Sequence, residues 1–392
     1  LGSMLAMPPM SAIYIQSILQ NQGHEVDYIA DQKEKFLTRD YDAYIVPSSI
    51  IAFESELEFI NKLINENKLV FVTGIFSNIK IDKYNKNAIV VNGEPEKFFL
   101  ENNLNDKNLS KNYLNLKAKN NTNLDNLDLL PFPKWHNYLK KYKLKNNFLG
   151  YNSSPAIPIQ FSRGCPYSCF NYCTYPLQQG RKVRFRSIKN LVDEIEMLNN
   201  SYGYEKFVFR DPVFSINRSK TLELCNEIIK RKIKIYFLIE THLNNLDTEL
   251  IKNLSAAGLK MVYVGIESSN INVLNDINRF SISNDKQYEI IKKLKENGII
   301  TKSMFMLANP DDNHETINRT IDYAKFLPNE LVQFSIFTPY PGTPIFKNYN
   351  DKLTTNKMED FNQYNLVFKH KNIKKNELSW IKLKAYYKVY LP

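Results

Sequence analysis

The sequence predicts an α/β protein with two α/β units and a helical end. Strand and helix patterns alternate through residues 4–104 and again, on a larger scale, through residues 151–345. Such alternation predicts parallel sheets whose strands are joined by helices. Candidate catalytic and cofactor-binding residues lie at the carboxyl ends of the strands of the second unit, as they do in barrel enzymes. We therefore predict a doubly wound parallel sheet over 4–104, a linker over 105–150, a partial (β/α)6 barrel over 151–345 and a helical segment over 346–392.

In the first unit, a short apolar run predicts a strand at 4–7, and further strands are predicted at 24–30, 43–47, 69–73 and 88–91. Apolar residues recur at helical spacing over 11–22, and Gly23 follows as a C-cap would. A second amphipathic helix is predicted over 54–67. Sheets of this type bind ligands at the carboxyl ends of their strands.

In the second unit, the same patterns predict strands near 157–161, 207–210, 235–240, 261–266, 301–307 and 332–338. The helices between them are predicted near 188–199, 217–231, 247–257, 284–297 and 314–326. Ser187 stands where an N-cap is needed, directly before the apolar stripe of the first of these helices.

The composition argues against some classes of partner. The net charge is +11, but the lysines are spread along the chain and form no dense basic block, so a solvated surface is favoured over nucleic-acid binding. No run approaches the roughly 18 apolar residues of a membrane span. No signal peptide is visible, and residues 1–4 look like a cloning remnant. The few cysteines fit the reducing cytoplasm, which is the predicted location.

Three of the four cysteines lie within nine residues, at Cys165, Cys169 and Cys173. Such clustering indicates a soft metal centre, because thiolates bind iron–sulfur clusters and zinc better than they bind hard cations. Three thiolates would leave one iron of a 4Fe–4S cluster open to another ligand. A structural zinc site, which usually has four ligands, and incidental thiols remain alternatives. The fourth cysteine, Cys225, lies in an apolar helix pattern and is predicted to be a core residue.

The sequence around the cysteines resembles that of the radical S-adenosylmethionine (SAM) superfamily and, within it, the branch with a cobalamin-binding domain. The matching runs are Arg163-Gly-Cys-Pro-Tyr-Ser-Cys, Tyr172-Cys-Thr-Tyr-Pro and Gly180-Arg-Lys-Val-Arg-Phe-Arg-Ser187. The resemblance implies that SAM chelates the open iron of a 4Fe–4S cluster. One electron from the cluster then cleaves SAM to a 5′-deoxyadenosyl radical. It also implies a low-potential electron donor of the flavodoxin or ferredoxin type and a small-molecule or biosynthetic-intermediate substrate.

The spacing of the cysteines departs from that family. The family usually has C-x3-C-x2-C, whereas this chain has C-x3-C-x3-C. The aromatic residue before the last cysteine, Tyr172, is kept and is expected to contact SAM. We expect the extra residue to be absorbed locally, around Phe170 and Asn171.

The resemblance assigns roles to residues at the strand ends. Glu240 is expected to bind the ammonium or ribose of SAM, and Glu267 and Ser268 are expected to hold SAM by hydrogen bonds. Asp211 and His242 are candidate catalytic residues. A buried salt bridge of Asp211 with Arg210 and a structural role for His242 are the alternatives. Arg181, Arg184 and Arg186 are interpreted as solvated surface, with an acidic ligand as the alternative.

The first unit corresponds in position to the cobalamin-binding domain of that family. The motif Asp-x-His-x-x-Gly, whose histidine binds cobalt, is absent, because the segment 8–12 reads Pro-Pro-Met-Ser-Ala. Ser48, Ser49 and Gly74 are candidates to line the nucleotide-tail pocket. The two hypotheses are that cobalamin binds without a histidine ligand, or that the domain packs but binds nothing.

The leading functional prediction is a radical SAM enzyme that methylates an unactivated carbon with the help of cobalamin. The alternative is a cobalamin-independent radical rearrangement, oxidation or epimerisation. A third hypothesis, from a different class, is a zinc-stabilised binding protein without catalysis.

Overall fold

The computed structural model describes residues 9–29, 41–104, 123–141 and 155–391. Its first unit contains a parallel sheet in the order β1-β2-β3. The strands are Ala43–Pro47 (β1), Leu69–Thr73 (β2) and Ile89–Val90 (β3). The helices around the sheet are Met10–Asn21, Phe53–Asn65, Ile75–Ile79 and Pro95–Glu101.

Helices cover both faces of this sheet. Successive residues of β2 point to opposite faces, so they pack against different helices. On one face Phe71 packs with Tyr14, Ile18 and Phe99. On the other face Val70 and Val72 pack with Ile60 and Phe76. The predicted doubly wound parallel sheet is confirmed. The strand predicted at 24–30 is wrong for residues 24–29, which have no regular structure. The strand predicted at 4–7 and residue 30 lie outside the described residues.

The second unit is a six-stranded parallel sheet. Strands of this sheet that follow one another along the chain also lie next to one another in the sheet. Its strands are Ala156–Ile159 (β4), Lys206–Phe209 (β7), Tyr236–Thr241 (β8), Leu259–Glu267 (β9), Ile300–Leu307 (β10) and Leu331–Ile336 (β11). The outer helices are Ile188–Tyr202, Arg218–Lys230, Thr248–Ala256, Asn284–Glu296 and His314–Phe326. A short antiparallel pair, Ser162–Arg163 (β5) with Arg184–Phe185 (β6), lies beyond the end of β4. The predicted partial barrel is confirmed.

The segment predicted as a linker packs against both units where it is described. It contains a 3-10 turn, Leu127–Leu129, and the helix Trp135–Lys141. Leu124 and Leu127 are buried in the core of the first unit, and Trp135 is buried in the core of the barrel. This part of the chain therefore ties the two units together, although the domain limits themselves stay a prediction.

The predicted helical segment at the end of the chain is confirmed by one helix, and the residues before that helix are less regular. Residues 346–377 hold short 3-10 turns and an isolated bridge between Leu353 and Phe368. One helix, Leu378–Tyr390, follows and packs on the helix His314–Phe326. In the described ranges, no helix combines the length and the apolar character that a membrane crossing requires.

Buried ion pairs join the first unit to the cysteine loop. Arg184 of β6 donates to Glu94 at 2.6 Å, and Arg163 of β5 contacts Glu94 at 3.4 Å and Glu96 at 3.3 Å. All four side chains are buried. Arg186 is also buried and pairs with Glu194. The interpretation of Arg184 and Arg186 as solvated surface is therefore wrong, because both guanidinium groups are buried and paired with buried carboxylates.

Candidate functional site

A loop beyond the first barrel strand carries the three cysteines. The β5–β6 pair closes its base, where the Cys165 N–H donates to the Gly180 carbonyl at 3.1 Å. Gly164 has φ +95°, and a Cβ there would lie 2.1 Å from the Lys182 carbonyl oxygen, so only glycine fits. Phe170 and Asn171, where the extra residue of the motif is expected, lie in a 3-10 turn, Ser168–Asn171, that directly precedes Tyr172.

The Cys169 and Cys173 thiols lie close together, and the Arg279 guanidinium faces Cys169. The adjacent Cys173 thiol and Arg279 lower the pKa of Cys169, whereas the proximity of Cys169 and burial raise the pKa of Cys173. Burial raises the pKa of Cys165. A neighbouring cation favours a thiolate, which is the form that binds metal. The donor set therefore fits an iron–sulfur cluster.

The arrangement differs from a mononuclear metal site. In the described part of the chain, no three His, Cys, Asp or Glu side chains converge on the position of one ion. Iron–sulfur clusters are held by thiolates that bind different irons, so their ligands need not meet at a single point.

Glu267 points into the barrel mouth through a local distortion of β9. The pairing of β9 with β10 shifts register between Met304 and Phe305, and Glu267 has φ +66°. Burial raises the pKa of Glu267, while Arg279 and the Tyr172 hydroxyl lower it. Glu267 and Tyr172, both predicted to contact SAM, are thus brought together next to the cysteines.

Gly265 makes room for this cluster. A Cβ at this position would lie 2.7 Å from Glu267 Oε1 and 3.0 Å from an Arg279 nitrogen. Arg279 also donates to the Gly265 carbonyl at 2.6 Å, which fixes the guanidinium between the carboxylate and the thiols.

Glu240 lies near the end of β8, at the same end of the barrel as Glu267. It accepts a hydrogen bond from the Tyr175 hydroxyl at 3.3 Å. Burial raises its pKa, and the nearby Arg210 guanidinium lowers it. Since Tyr175 follows Cys173 by two residues, this contact links Glu240 to the cysteine loop.

Ser268 is turned toward the outer helices. Its hydroxyl contacts Thr320 at 3.2 Å and accepts from the Asn270 N–H at 3.1 Å. These contacts give Ser268 a role in fastening the end of β9. Its predicted contact with SAM stays a prediction.

His242 is held by backbone groups at both ring nitrogens. Nδ1 accepts from the Asn244 N–H at 3.1 Å, so Nε2 carries the proton and donates to the Phe280 carbonyl at 3.1 Å. Burial and, next, the Arg279 charge lower the pKa of His242 to about 4. A neutral ring with both nitrogens engaged favours the structural alternative over the predicted catalytic role.

Asp211 is fully buried behind the cysteine loop. Its carboxylate accepts from the Phe161 N–H at 3.1 Å, from the Ser162 hydroxyl at 2.6 Å and from the Ser162 N–H. Burial raises its pKa to about 6, against these hydrogen bonds. Asp211 makes no salt bridge with Arg210 within the described ranges, and the contacts favour a positioning role for the start of the cysteine loop.

Replacing Asp211 by asparagine is expected to lower the free energy of unfolding by about 1–3 kcal/mol, because the amide would turn a donor toward buried N–H groups. Urea unfolding followed by circular dichroism measures this effect. The exposed Asp351→Asn variant should leave the midpoint unchanged. Equal midpoints for the two variants would show that Asp211 does not fasten the loop.

The residues predicted to line a cobalamin pocket lie together at the carboxyl end of the first sheet. The Ser48 hydroxyl contacts the Tyr84 hydroxyl at 2.6 Å, and Ser49 donates to Glu56 through its N–H at 2.7 Å. Gly74 has φ +102°, and a Cβ there would lie 2.6 Å from the Ser48 carbonyl oxygen. These loops pack so closely that a side chain at position 74 would separate them.

Gly74→Ala is expected to destabilise the protein more than Gly23→Ala, by about 1–3 kcal/mol, because forced overpacking adds to the strain of a positive φ. Gly23 is the matched control, since its φ is +90° and its Cβ would meet nothing within 4 Å. Urea unfolding of both variants measures the difference. Equal losses would contradict the close approach of residues 48 and 74.

A large cavity lies between the two units. Its volume is about 1510 Å³, above the roughly 300–1,000 Å³ that is usual for small-molecule sites. Ser48, Ser49 and Gly74 line it on one side, and Tyr175 and Arg210 line it on the other. The cysteines are not among its lining residues, but Thr174, next to Cys173, is. The carboxyl ends of both sheets therefore face one cavity that adjoins the cysteine loop.

Sequence reasoning missed Arg279 and the pair Glu94 and Glu96. Arg279 lies in an irregular segment after the helix Ile271–Asp276, where no periodic pattern marks it. The two glutamates belong to a different unit from the arginines they contact. Tyr175 lies in the run Tyr172-Cys-Thr-Tyr-Pro, next to the last cysteine, so a contact with Glu240 at the barrel mouth could have been predicted.

A three-cysteine loop and the half-buried carboxylates of Glu240 and Glu267 lie together at the carboxyl ends of parallel strands. This arrangement defines a cofactor-dependent barrel enzyme. The model of the Radical SAM superfamily matches residues 159–324. The matched residues form a radical SAM domain, and such a domain implies a radical SAM enzyme with a 4Fe–4S cluster and SAM as its cofactors.

Two relatives illustrate the similarity. The chain is 26% identical over 413 residues to the "Uncharacterized methyltransferase PH0819" of Pyrococcus horikoshii, which covers 98% of this chain and 88% of that protein. It is 32% identical over 216 residues to the anaerobic magnesium-protoporphyrin IX monomethyl ester cyclase of Cereibacter sphaeroides, covering 54% of this chain and 34% of that protein. The chain thus spans most of the first relative and about a third of the second.

Solved structures share the fold. The radical SAM methyltransferase TsrM from Kitasatospora setae, with cobalamin and a [4Fe-4S] cluster bound, superposes with a TM-score of 0.67 at 17% identity, covering 88% of this chain and 72% of that chain. The cobalamin-dependent radical enzyme OxsB superposes with a TM-score of 0.66 at 12% identity, covering 94% and 59%. At such identities the likeness concerns the fold.

Proposed function

We propose that this protein is a cobalamin-dependent radical SAM methyltransferase acting on an unactivated carbon of a small molecule. The observation that carries the proposal is the cavity of about 1510 Å³ between the two units. It exceeds the space that one small substrate needs, and it opens onto the barrel mouth beside the cysteine loop. The name of the Pyrococcus horikoshii relative and the cobalamin bound by TsrM and OxsB support the proposal.

Each cofactor has candidate residues in this chain. Cys165, Cys169 and Cys173 would hold the cluster, and Tyr172, Glu240 and Glu267 would hold SAM. Ser48, Ser49 and Gly74 would hold cobalamin. These residues line the large cavity, whose volume suits a bulky ligand. When bound, cluster and SAM supply one-electron chemistry and a methyl group, and cobalamin supplies a methyl carrier.

The residues of the chain supply orientation and charge. Arg279 stabilises a thiolate at Cys169 and partly neutralises Glu267. Asp211 and His242 fasten the backbone around the cysteine loop and the barrel mouth. The segment 8–12, which reads Pro-Pro-Met-Ser-Ala, has no histidine at the position of the Asp-x-His-x-x-Gly motif, so cobalamin would bind without the histidine of that motif.

The test uses SAM that carries a trideuteriomethyl group. The reconstituted holoenzyme, with a low-potential reductant and a pool of small biosynthetic intermediates, is expected to yield a product with that group, together with 5′-deoxyadenosine. A Cys169→Ala enzyme serves as the blank. Formation of 5′-deoxyadenosine without any deuterated product would favour the cobalamin-independent alternative, to which the similarity with the ring-forming cyclase gives some weight.

A further inference from the structure

Side chains from neighbouring strands form a charged layer inside the barrel. Glu240 of β8 pairs with Tyr263 of β9, which pairs with Lys302 of β10. Leu238 pairs with Val208, so Arg210 lies level with Glu240. We define the charged layer as the residues in this row: Arg210, Glu240, Tyr263 and Lys302.

The layer faces the barrel interior. Successive residues of a strand point to opposite sides, and the neighbours of the layer are buried on the outer side: Phe209, Ile239, Val262 and Thr301. The four layer residues are half-buried instead. One step toward the strand beginnings, apolar side chains close the barrel: Ala156, Val208, Leu238 and Met261. The layer is therefore the floor of the barrel interior.

This floor has more positive than negative charge. Arg210 and Lys302 both act electrostatically on Glu240, and the Lys302 ammonium lies 4.7 Å from the centre of the Tyr263 ring. Within the described ranges, neither cation has a carboxylate within 4 Å. Two cations thus share one carboxylate without a direct salt bridge, in a place where an unpaired charge is unfavourable.

We propose that Arg210 and Lys302 form an anion-binding pair that recognises a carboxylate or phosphoryl group of the substrate. Arginine can bind such a group through two parallel hydrogen bonds, and lysine adds a mobile point charge. Arg210 also lines the large cavity, so a substrate entering from the cavity meets Arg210 first, and Lys302 lies farther along the same row of the barrel floor. The inference rests on the proposed function in that it names the substrate class of the same barrel mouth.

The test labels Lys302 in the reconstituted holoenzyme with pyridoxal 5′-phosphate. The lysine amine adds to the aldehyde with loss of water, and borohydride reduces the imine to a stable secondary amine. Burial lowers the pKa of Lys302, which favours the free amine that reacts with the aldehyde. Peptide mass spectrometry then measures the labelled fraction of this lysine.

We expect pyridoxal 5′-phosphate to label Lys302 at least tenfold more than pyridoxal, which lacks the phosphate. Inorganic pyrophosphate should protect Lys302, and Arg210→Gln should reduce its labelling to the level seen with pyridoxal. Lys382 is the matched control, since it also lies over a tyrosine ring, 4.6 Å from the centre of Tyr364, but on the outer C-terminal helix. Pyridoxal 5′-phosphate and pyridoxal should label Lys382 to the same extent.

Equal labelling of Lys302 by both reagents in the unsubstituted enzyme would overturn the proposal, whether or not Arg210→Gln folds. Loss of labelling with saturating SAM would assign the pair to the carboxylate of the cofactor and would overturn the substrate assignment. Labelling requires neither cobalamin nor turnover. A failure of methyl transfer with phosphate-dependent labelling intact would therefore refute the proposed function alone.

Discussion

Replacement of Cys169 by alanine is expected to reduce iron in the anaerobically reconstituted protein to a small fraction of the unsubstituted level and to lower SAM cleavage by at least about 10³-fold. Cys169 is buried in the middle of the loop and is the thiol that Arg279 faces. Two thiolates cannot replace three in holding a cluster with one open iron. Iron and sulfide analysis and chromatography of 5′-deoxyadenosine measure the two effects.

The matched control is Cys225→Ala, which removes a buried thiol from the helix Arg218–Lys230 in the barrel core. This variant should lose some stability while keeping its iron and its SAM cleavage. If the two variants lost iron equally, the ligand assignment would be wrong. Zinc without iron or sulfide in the unsubstituted protein would instead support the zinc hypothesis.

Replacement of Glu94 by glutamine is expected to lower the free energy of unfolding by about 3–5 kcal/mol, because it leaves buried arginine charge uncompensated. Glu94 accepts from Arg184 at 2.6 Å and from the Leu124 N–H at 2.9 Å, and it lies 3.4 Å from Arg163. These contacts connect the first unit to both strands at the base of the cysteine loop. Urea unfolding and iron content after reconstitution should both respond.

An exposed ion pair at the same junction is the control. Lys182 and Asp125 lie 2.9 Å apart with most of both side chains in solvent, so Asp125→Asn should change neither stability nor iron content measurably. A Glu94→Gln variant as stable as Asp125→Asn would mean that the buried pairs do not hold the two units together.

The regular elements were predictable because their signals are local. The helix Ile188–Tyr202 begins where Ser187 caps it, with its side chain accepting from the Asn190 N–H, and ends at Gly203 in the left-handed conformation. The buried barrel strands likewise follow from short apolar runs bounded by turns. The strand predicted at 24–30 is wrong for residues 24–29, because a local sequence pattern alone does not show whether a partner strand is available.

The site was predictable only where a motif marks it. The three cysteines, Glu240 and Glu267 could be placed at one edge of the barrel, since parallel strands end on the same side. The tertiary partners of those residues could not. Arg279 approaches Cys169 from a distant loop, and both nitrogens of His242 are engaged by backbone whose position depends on the complete fold.

Methyl transfer as proposed requires that the cavity between the two units binds cobalamin. The direct measurement is the cobalamin retained per chain after anaerobic reconstitution with iron, sulfide and hydroxocobalamin, read from the visible spectrum after desalting. We expect about one equivalent in the unsubstituted protein and a marked loss in Gly74→Ala, with iron content unchanged in both. No retained cobalamin in a protein with an intact cluster would contradict the claim and would leave the first unit as a packing domain.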